Sequence, residues 1–205
     1  MPDSIFAIAF TLWTGVVTWL ELLAFSLALA MVLCNIRTIH WGWPLAAISS
    51  LLYMLLFWRD RLYGESLLQV VFAVISLWGW AQWLRKPSST DKHRARIAQL
   101  STQGRLGVLL ACATLWPMMA LFSQRYTNTD VPWWDALTTS LSVVAQWLLA
   151  RKYIENWLLW VVVNVFSVGL FAYKGLWLTA VLYCLFIALS VVGWHAWRAQ
   201  AVHTR

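Results

Sequence analysis

The chain has 205 residues, of which 61% are hydrophobic and only 11% are charged, and its formal net charge is +7. Soluble domains carry roughly 25% charged residues, so this composition excludes an ordinary soluble enzyme. Apolar runs of about 20 residues, the length that crosses a hydrocarbon core, recur along the whole chain. Because these runs lack a period-two alternation, they predict transmembrane helices rather than a β-barrel.

Seven spans are predicted after an apolar N-terminal segment, residues 1–18. We expect that segment to lie in the membrane interface with Trp13 as an anchor; the alternative is one long tilted helix that buries Glu21. In chain order the spans lie near Leu20–Asn35, Trp41–Trp58, Leu62–Leu84, Leu106–Ser123, Trp133–Ala150, Trp157–Tyr173 and Leu176–Trp197. The corresponding domains are a first three-helix bundle (19–85), a polar cytoplasmic linker (86–105), a linker helix (106–124), a second three-helix bundle (133–198) and a cytoplasmic tail (199–205).

An internal repeat organises these spans: Trp19–Leu84 reappears as Trp133–Arg198, with every position shifted by 114 residues. The register aligns rare residues as well as leucines. Matching pairs include Glu21 with Asp135, Arg37 with Arg151, Trp43 with Trp157, and Gly79 with Gly193. The chain is therefore a duplicated three-helix unit. Three helices end on the side opposite their start, so the unmatched fourth helix supplies the crossing that makes the two bundles parallel. This predicts an all-α, 3+1+3 membrane protein.

The basic residues predict the orientation of the chain in the membrane. Eleven of the fifteen follow the first, third, fifth or seventh span, and four follow the others. Because basic loops stay in the cytoplasm, the N-terminus is expected outside and the C-terminus inside. The positive charge thus sets topology, and no nucleic-acid partner is expected.

The ionisable residues show no pattern typical of an enzyme. All eight acids fall at predicted helix ends or in polar segments, and the histidines are scattered. The three cysteines lie singly in different spans, which is a poor pattern for a metal site or disulfides. We therefore expect no catalytic residue, no metal and no cofactor. Glu21 and Asp135 suit the dipole at a helix start; coupling to protons or sodium is the alternative for this pair.

The sixth span holds the strongest candidate for a binding site. Trp157, Trp160 and Asn164 are spaced by three and four residues, which places both indoles and the amide on one helical face. An amide in mid-membrane is costly unless it is paired or faces a cavity. This face suits a flat heteroaromatic ligand, and a cationic one would gain from the indoles. The alternative is an interfacial tryptophan belt with a helix-packing asparagine.

Equivalent positions in the other spans extend this candidate site. The second span carries Trp43, Ser50 and Tyr53 on the matching face. Gln69 in the third span and Tyr183 in the seventh occupy equivalent repeat positions. Each of these polar groups is either a ligand contact or a hydrogen bond between helices.

The two copies also differ on this face. Ala46 stands where the second copy has Trp160, and Ser50 stands where it has Asn164. If a ligand lies between the two bundles, this asymmetry leaves space on one side and contacts on the other. A second cluster of tryptophans, at the ends of the third and seventh spans, is interpreted as interface anchors; its members are Trp78, Trp80, Trp83, Trp194 and Trp197.

The run Arg151–Asn164 resembles the signature of the PnuC-type nicotinamide riboside transporters, and Leu62–Gln69 and Leu77–Trp80 resemble the same family. The similarity covers Trp19–Trp197. It implies a seven-helix, SWEET-like fold in the bacterial inner membrane. It also implies facilitated diffusion of nicotinamide riboside, made one-way by a cytoplasmic kinase that phosphorylates the product.

Carried over by position, the resemblance implies that Trp157, Trp160 and Asn164 line the substrate site, with Gln69 as the next member. One departure is the pair Ser49–Ser50, where close relatives would carry an asparagine. Relatives of this family also carry thiamine or riboflavin, which leaves the exact vitamin open. The oligomeric state is open as well, and a homo-oligomer is compatible with the sequence.

Overall fold

The computed structural model describes residues 8–12, 15–59, 63–85, 97–126, 131–173 and 177–202. Within them a short β-hairpin precedes seven helices. The strands are β1 (Ile8–Leu12) and β2 (Gly15–Thr18). The helices are α1 (Trp19–Ile36), α2 (Gly42–Arg59), α3 (Tyr63–Leu84), α4 (Thr102–Tyr126), α5 (Pro132–Ala150), α6 (Asn156–Tyr173) and α7 (Trp177–Val202). The seven predicted helices are confirmed.

The N-terminal hairpin was not predicted from the sequence. β1 and β2 pair antiparallel, with Phe10 opposite Val17 and Thr11 opposite Val16. The alternative of one long helix that runs through this segment is wrong, because α1 begins only at Trp19. Apolar composition alone does not separate a strand from a helix, whereas the β-branched residues here favour extended backbone. The expected anchor, Trp13, lies outside the described residues.

Two helices extend beyond their predicted ends. α4 begins at Thr102, inside the predicted linker, because Ser101 caps it: the Ser101 hydroxyl oxygen accepts a hydrogen bond from the Gly104 amide at 3.1 Å. α4 continues through Pro117 without interruption. α7 runs to Val202, so the helix enters the predicted tail.

Length and surface composition fit a membrane protein. Among the described residues, three helical stretches are long and apolar enough to cross a bilayer: Ser66–Leu84, Thr102–Tyr126 and Ala180–Ala201. Two shorter helical stretches, Leu22–Ile36 and Asn156–Leu170, are also apolar. Large apolar side chains are exposed along most helices. Such a surface is unfavourable in water and suits contact with lipid tails.

The chain forms two compact units, Met1–Ala81 and Gln82–Arg205. In the first unit α1 packs on α2, and the Ser49 hydroxyl donates a hydrogen bond to the Ala24 carbonyl at 2.8 Å. Small polar residues of this kind join helices in a membrane, where apolar contact alone gives no preference for protein over lipid. α2 and α3 are joined in the same way by Ser66.

In the second unit α5 packs on both α4 and α6, and α6 packs on α7. The Trp134 indole N–H donates to the Phe166 carbonyl at 3.1 Å. The two acids matched by the repeat lie where the sequence placed them: Glu21 is the third residue of α1, and Asp135 lies in the first turn of α5.

The same turn ends the first helix of each repeat. Thr38 and Lys152, which are repeat equivalents, adopt positive φ angles of 56° and 58°. In each copy the amide of the residue that follows Thr38 or Lys152 donates a hydrogen bond to the carbonyl five positions before that amide. The distance is 2.8 Å in the first copy and 3.0 Å in the second. This pattern is a Schellman motif, which usually places glycine at the left-handed position. The duplication therefore preserves a strained turn without a glycine.

The linker that precedes α4 is tied to the loop between α5 and α6. The Glu155 carboxylate accepts hydrogen bonds from the Leu100 amide at 3.0 and 3.2 Å, and Arg105 lies 3.4 Å from it. Ala98 forms a parallel bridge with Tyr153. This anchorage fixes the direction in which α4 leaves the linker.

Both basic residues of the α5–α6 loop lie against indole rings. The Lys152 ammonium lies 4.8 Å from the centre of the Trp83 ring, and the Arg151 guanidinium lies 5.4 Å from that of Trp147. Burial lowers the pKa of Lys152. The ring faces offset part of the cost of burying these cations.

Candidate functional site

One face of α6 carries the three residues that the sequence singled out first. Trp157 and Asn164 are 3% and 5% exposed, whereas Trp160 between them is half-buried. Their spacing within one continuous helix aligns the three side chains. Trp160 is thus the member of the face with free aromatic surface, and Asn164 is its polar end.

Trp157 is held in place by α7. A Cβ built on Gly193 would lie 2.6 Å from three atoms of the Trp157 ring, so only glycine lets the two helices approach this closely. The Trp197 ring meets Trp157 edge-on, with centroids 5.6 Å apart and planes at 87°. The interpretation of Trp197 as an interface anchor is wrong, because its side chain is fully buried in this contact.

Asn164 takes part in a hydrogen-bonded chain that joins α6 to α7. Its amide nitrogen lies 3.4 Å from the Ser190 hydroxyl oxygen. That hydroxyl in turn donates to the Phe186 carbonyl at 2.7 Å. Ser190 is 3% exposed, so the chain runs through a buried part of the helix pair. The costly mid-span amide is therefore partly paired within the protein.

A second polar contact lies further along the same helix pair. The Tyr183 hydroxyl of α7 hydrogen-bonds to the Ser167 side chain of α6. Ser167 is buried, and Tyr183 is half-buried. The structure therefore places Trp157, Asn164 and Tyr183 on the same α6–α7 helix pair.

The first repeat reproduces the tryptophan–glycine contact. Trp43 is buried, and a Cβ built on Gly79 would collide with the Trp43 ring. A Cβ built on Gly193 would collide with the Trp157 ring in the same way. Ser76, the equivalent of Ser190, is 1% exposed. Ser50 is half-buried. This helix pair keeps the packing of its copy and replaces the amide with a smaller hydroxyl.

The remaining candidates of the first repeat are half-buried. Tyr53 stacks on Phe57 of its own helix, with ring centroids 6.0 Å apart and an interplanar angle of 24°. Gln69 is half-buried on α3. Tyr53 and Gln69 are therefore polar side chains that are partly accessible at the protein surface.

Sequence reasoning did not select Ser167 and Ser190 as site residues. The repeat offered a signal only for Ser190, because Ser190 matches Ser76, whereas Ser167 matches Tyr53. A serine that both copies keep at a buried position is a candidate for a hydrogen bond within its helix pair. Serine is common enough in membrane helices that composition alone did not single it out.

The chain is similar to known membrane transporters. Residues 18–199 match the model of a family described as nicotinamide mononucleotide transporter. The nicotinamide riboside transporter PnuC of Escherichia coli (strain K12) is 30% identical over 174 residues, covering 73% of this chain and 72% of that protein. The riboflavin/roseoflavin transporter RibM of Streptomyces davaonensis is 26% identical over 191 residues, covering 92% and 89%.

A solved structure shares the fold. The crystal structure of the vitamin B3 transporter PnuC superimposes with a TM-score of 0.73 at 23% identity, covering 90% of this chain and 83% of that one. This likeness confirms the predicted all-α, seven-helix membrane architecture.

Proposed function

Because the chain belongs to the nicotinamide mononucleotide transporter family, we propose that it carries nicotinamide riboside across the membrane by facilitated diffusion. The chain is a multi-pass membrane transporter and not an enzyme, as its relatives are transporters. The observation that carries the choice of cargo is the α6 face, where a half-buried indole lies one turn from a buried amide.

The chemistry of this face matches that cargo. Nicotinamide riboside is a flat pyridinium cation with a carboxamide and a ribose. Trp160 offers a ring for stacking, and cation–π attraction contributes about 0.5–2 kcal/mol. Asn164 hydrogen-bonds the polar edge of the ligand. The segment from Trp157 to Asn164 contains no acid, so the cation is bound without a fixed counter-charge and is released easily.

Gln69, Tyr53 and Ser50 are further candidate contacts from the first repeat, because each is a half-buried polar side chain. Trp43 is buried against Gly79 and supports its own helix pair. Tyr183 contributes its hydroxyl from α7.

The proposed cycle is alternating access, in which a mid-membrane site opens to each side in turn. The orientation inferred from the loop charges places the N-terminus outside and the C-terminus in the cytoplasm of a bacterial inner membrane. A cytoplasmic kinase makes uptake one-way, because phosphorylation of the riboside adds charge that the site does not accept. No cofactor takes part.

Riboflavin is the second candidate cargo, and thiamine is the third. The riboflavin/roseoflavin transporter RibM matches a larger share of this chain than the E. coli nicotinamide riboside transporter does, at somewhat lower identity. Riboflavin is also flat but neutral and larger. The cationic cargo remains our first choice because the α6 face pairs an indole with a small amide.

Uptake into proteoliposomes tests the proposal. Purified protein in vesicles without ATP and without an ion gradient should equilibrate labelled nicotinamide riboside, whereas empty vesicles should not. A phosphorylating kinase trapped inside should raise accumulation above the external concentration. Strict dependence on a proton or sodium gradient would contradict facilitated diffusion and would implicate Glu21 and Asp135.

A further inference from the structure

We propose that Ser190 fixes the orientation of the Asn164 amide, so that Asn164 presents its carbonyl oxygen to the substrate and selects a ligand with an N–H donor. Ser190 is then a positioning residue, and it acts through Asn164. The inference rests on the proposed function and deepens it, because it names the substrate group that Asn164 recognises.

The first step concerns the single proton of the Ser190 hydroxyl. Its short contact, 2.7 Å, is with the Phe186 carbonyl oxygen. A carbonyl oxygen can only accept, so the Ser190 proton must be donated there. The hydroxyl oxygen is therefore left with acceptor capacity alone toward any other neighbour.

The second step concerns the Asn164 amide. Its terminal group lies 3.4 Å from the Ser190 oxygen. If Oδ1 faced Ser190, two acceptors would meet without a proton between them, so the NH2 group must face that side. Oδ1 consequently points away from Ser190. The Asn164 side chain is 5% exposed, and its Oδ1 is not among the fully buried, unpartnered atoms of the described residues, so this oxygen keeps some access for a ligand.

An acceptor in such a place favours a donor from the ligand. An amide oxygen at membrane depth is favourable only where it is paired or faces a cavity, and a donor on a bound ligand would pair it. A pyridinium ring stacked on Trp160, one turn before Asn164, carries its carboxamide in the plane of the ring. The carboxamide N–H then matches Oδ1, whereas a carboxylate at the same position would bring a second acceptor. The site therefore discriminates an amide from an acid.

The repeat provides a matched control. Ser76 is the equivalent of Ser190 and is equally buried, at 1% against 3% exposure. The residue that would correspond to Asn164 is Ser50. Ser76→Ala therefore removes the same hydroxyl from the same place in the fold, with no amide for it to orient.

The experiment measures uptake of three ribosides by vesicles containing wild type, Ser190→Ala or Ser76→Ala. The probes are nicotinamide riboside, nicotinic acid riboside and 3-acetylpyridine riboside, which keeps the cation and the carbonyl but replaces NH2 with CH3. Wild type should prefer nicotinamide riboside over each of the others by about tenfold or more, because an acceptor that the ligand covers but does not pair disfavours binding. Ser190→Ala should reduce that ratio by about tenfold, and Ser76→Ala should leave it unchanged.

Equal uptake of nicotinamide riboside and 3-acetylpyridine riboside by wild type overturns the inference, even if Ser190→Ala does not fold. An unchanged ratio in folded Ser190→Ala also overturns it, and so does an equal fall for all three probes. In these cases transport of nicotinamide riboside by wild type still supports the proposed function. Uptake of none of the three would overturn both.

Discussion

Two neighbours on α6 have different roles in the proposed site. Trp160 keeps part of its ring accessible, whereas Asn164 is buried and reaches α7 through Ser190. Stacking surface and hydrogen-bonding specificity are thus divided between two residues one turn apart.

Replacing either residue should abolish uptake without unfolding the protein. Trp160→Ala removes the stacking surface, and Asn164→Leu removes the acceptor while it keeps a similar volume; each should reduce uptake at least tenfold. The matched control is Leu158→Ala, because Leu158 lies on the same helix but is 47% exposed. Vesicle uptake and size-exclusion profiles check both points. Normal uptake by both site variants would remove this face from the substrate pathway.

Gly193→Ala should destabilise the fold. The new Cβ would lie 2.6 Å from the Trp157 ring, and no flexible group can yield there. Overpacking of this kind costs about 1–3 kcal/mol, which thermal unfolding in detergent would detect as a lower Tm. Gly107→Ala is the control, because a Cβ at Gly107 meets nothing within 4 Å. Equal stability of the two variants would refute the close contact.

At the residue scale the sequence predicted which side chains share a helical face better than what those side chains touch. The rare residues Trp157, Trp160 and Asn164 could be found by spacing, and the structure places them on one helical face. The partners of these residues could not be found from the sequence, because Ser190 and Ser167 become informative only when the packing of α6 against α7 is known. Trp197 shows the same limit: a tryptophan near a helix end is buried rather than interfacial.

At the scale of elements, the turns after α1 and α5 store strain that a glycine would relieve. Thr38 has a φ of 56°, and a β-branched residue is particularly unfavourable in the left-handed region. Thr38→Gly should therefore stabilise the protein by about 1 kcal/mol. Thr38→Ala, which keeps the Cβ, should give a smaller gain. A lower Tm for Thr38→Gly than for Thr38→Ala would contradict this account.

The tie between the linker and the α5–α6 loop should also be measurable. Glu155→Ala removes the acceptor of the Leu100 amide, a charge-assisted bond worth about 1.5–3 kcal/mol. Arg105→Ala should cost less than about 1 kcal/mol, because that side chain is mostly exposed. Thermal unfolding of the two variants gives the comparison. A larger loss for Arg105→Ala would show that the ion pair, and not the backbone bond, holds the linker.

Helix positions could be predicted because long apolar runs have few alternatives in a membrane. The ends of the helices could not be predicted where they depend on a capping residue such as Ser101 or on a turn without glycine. The hairpin before α1 was missed for a different reason: its residues are as apolar as those of a span, and only their β-branched character favours strands.

At the scale of the whole molecule, the duplication conserves packing and varies chemistry. Both copies keep the tryptophan–glycine contact and the left-handed turn. The polar positions differ between the copies. Ser50 stands where the second copy has Asn164. Tyr53 of the first copy is equivalent to Ser167, and Gln69 is equivalent to Tyr183, so the tyrosine lies on a different helix in each copy. The architecture was predictable from the repeat, whereas the cargo stays a proposal that rests on the α6 face.

The central claim is that the α6 face binds nicotinamide riboside, and equilibrium binding to the purified protein tests it most directly. Titrations of nicotinamide riboside, riboflavin and thiamine should be made against wild type, Asn164→Leu and Leu158→Ala. We expect nicotinamide riboside to bind wild type and Leu158→Ala alike and more tightly than the other two vitamins. Asn164→Leu should weaken its binding at least tenfold, or about 1.4 kcal/mol. Unchanged binding by Asn164→Leu, or tighter binding of riboflavin or thiamine to wild type, would contradict the account.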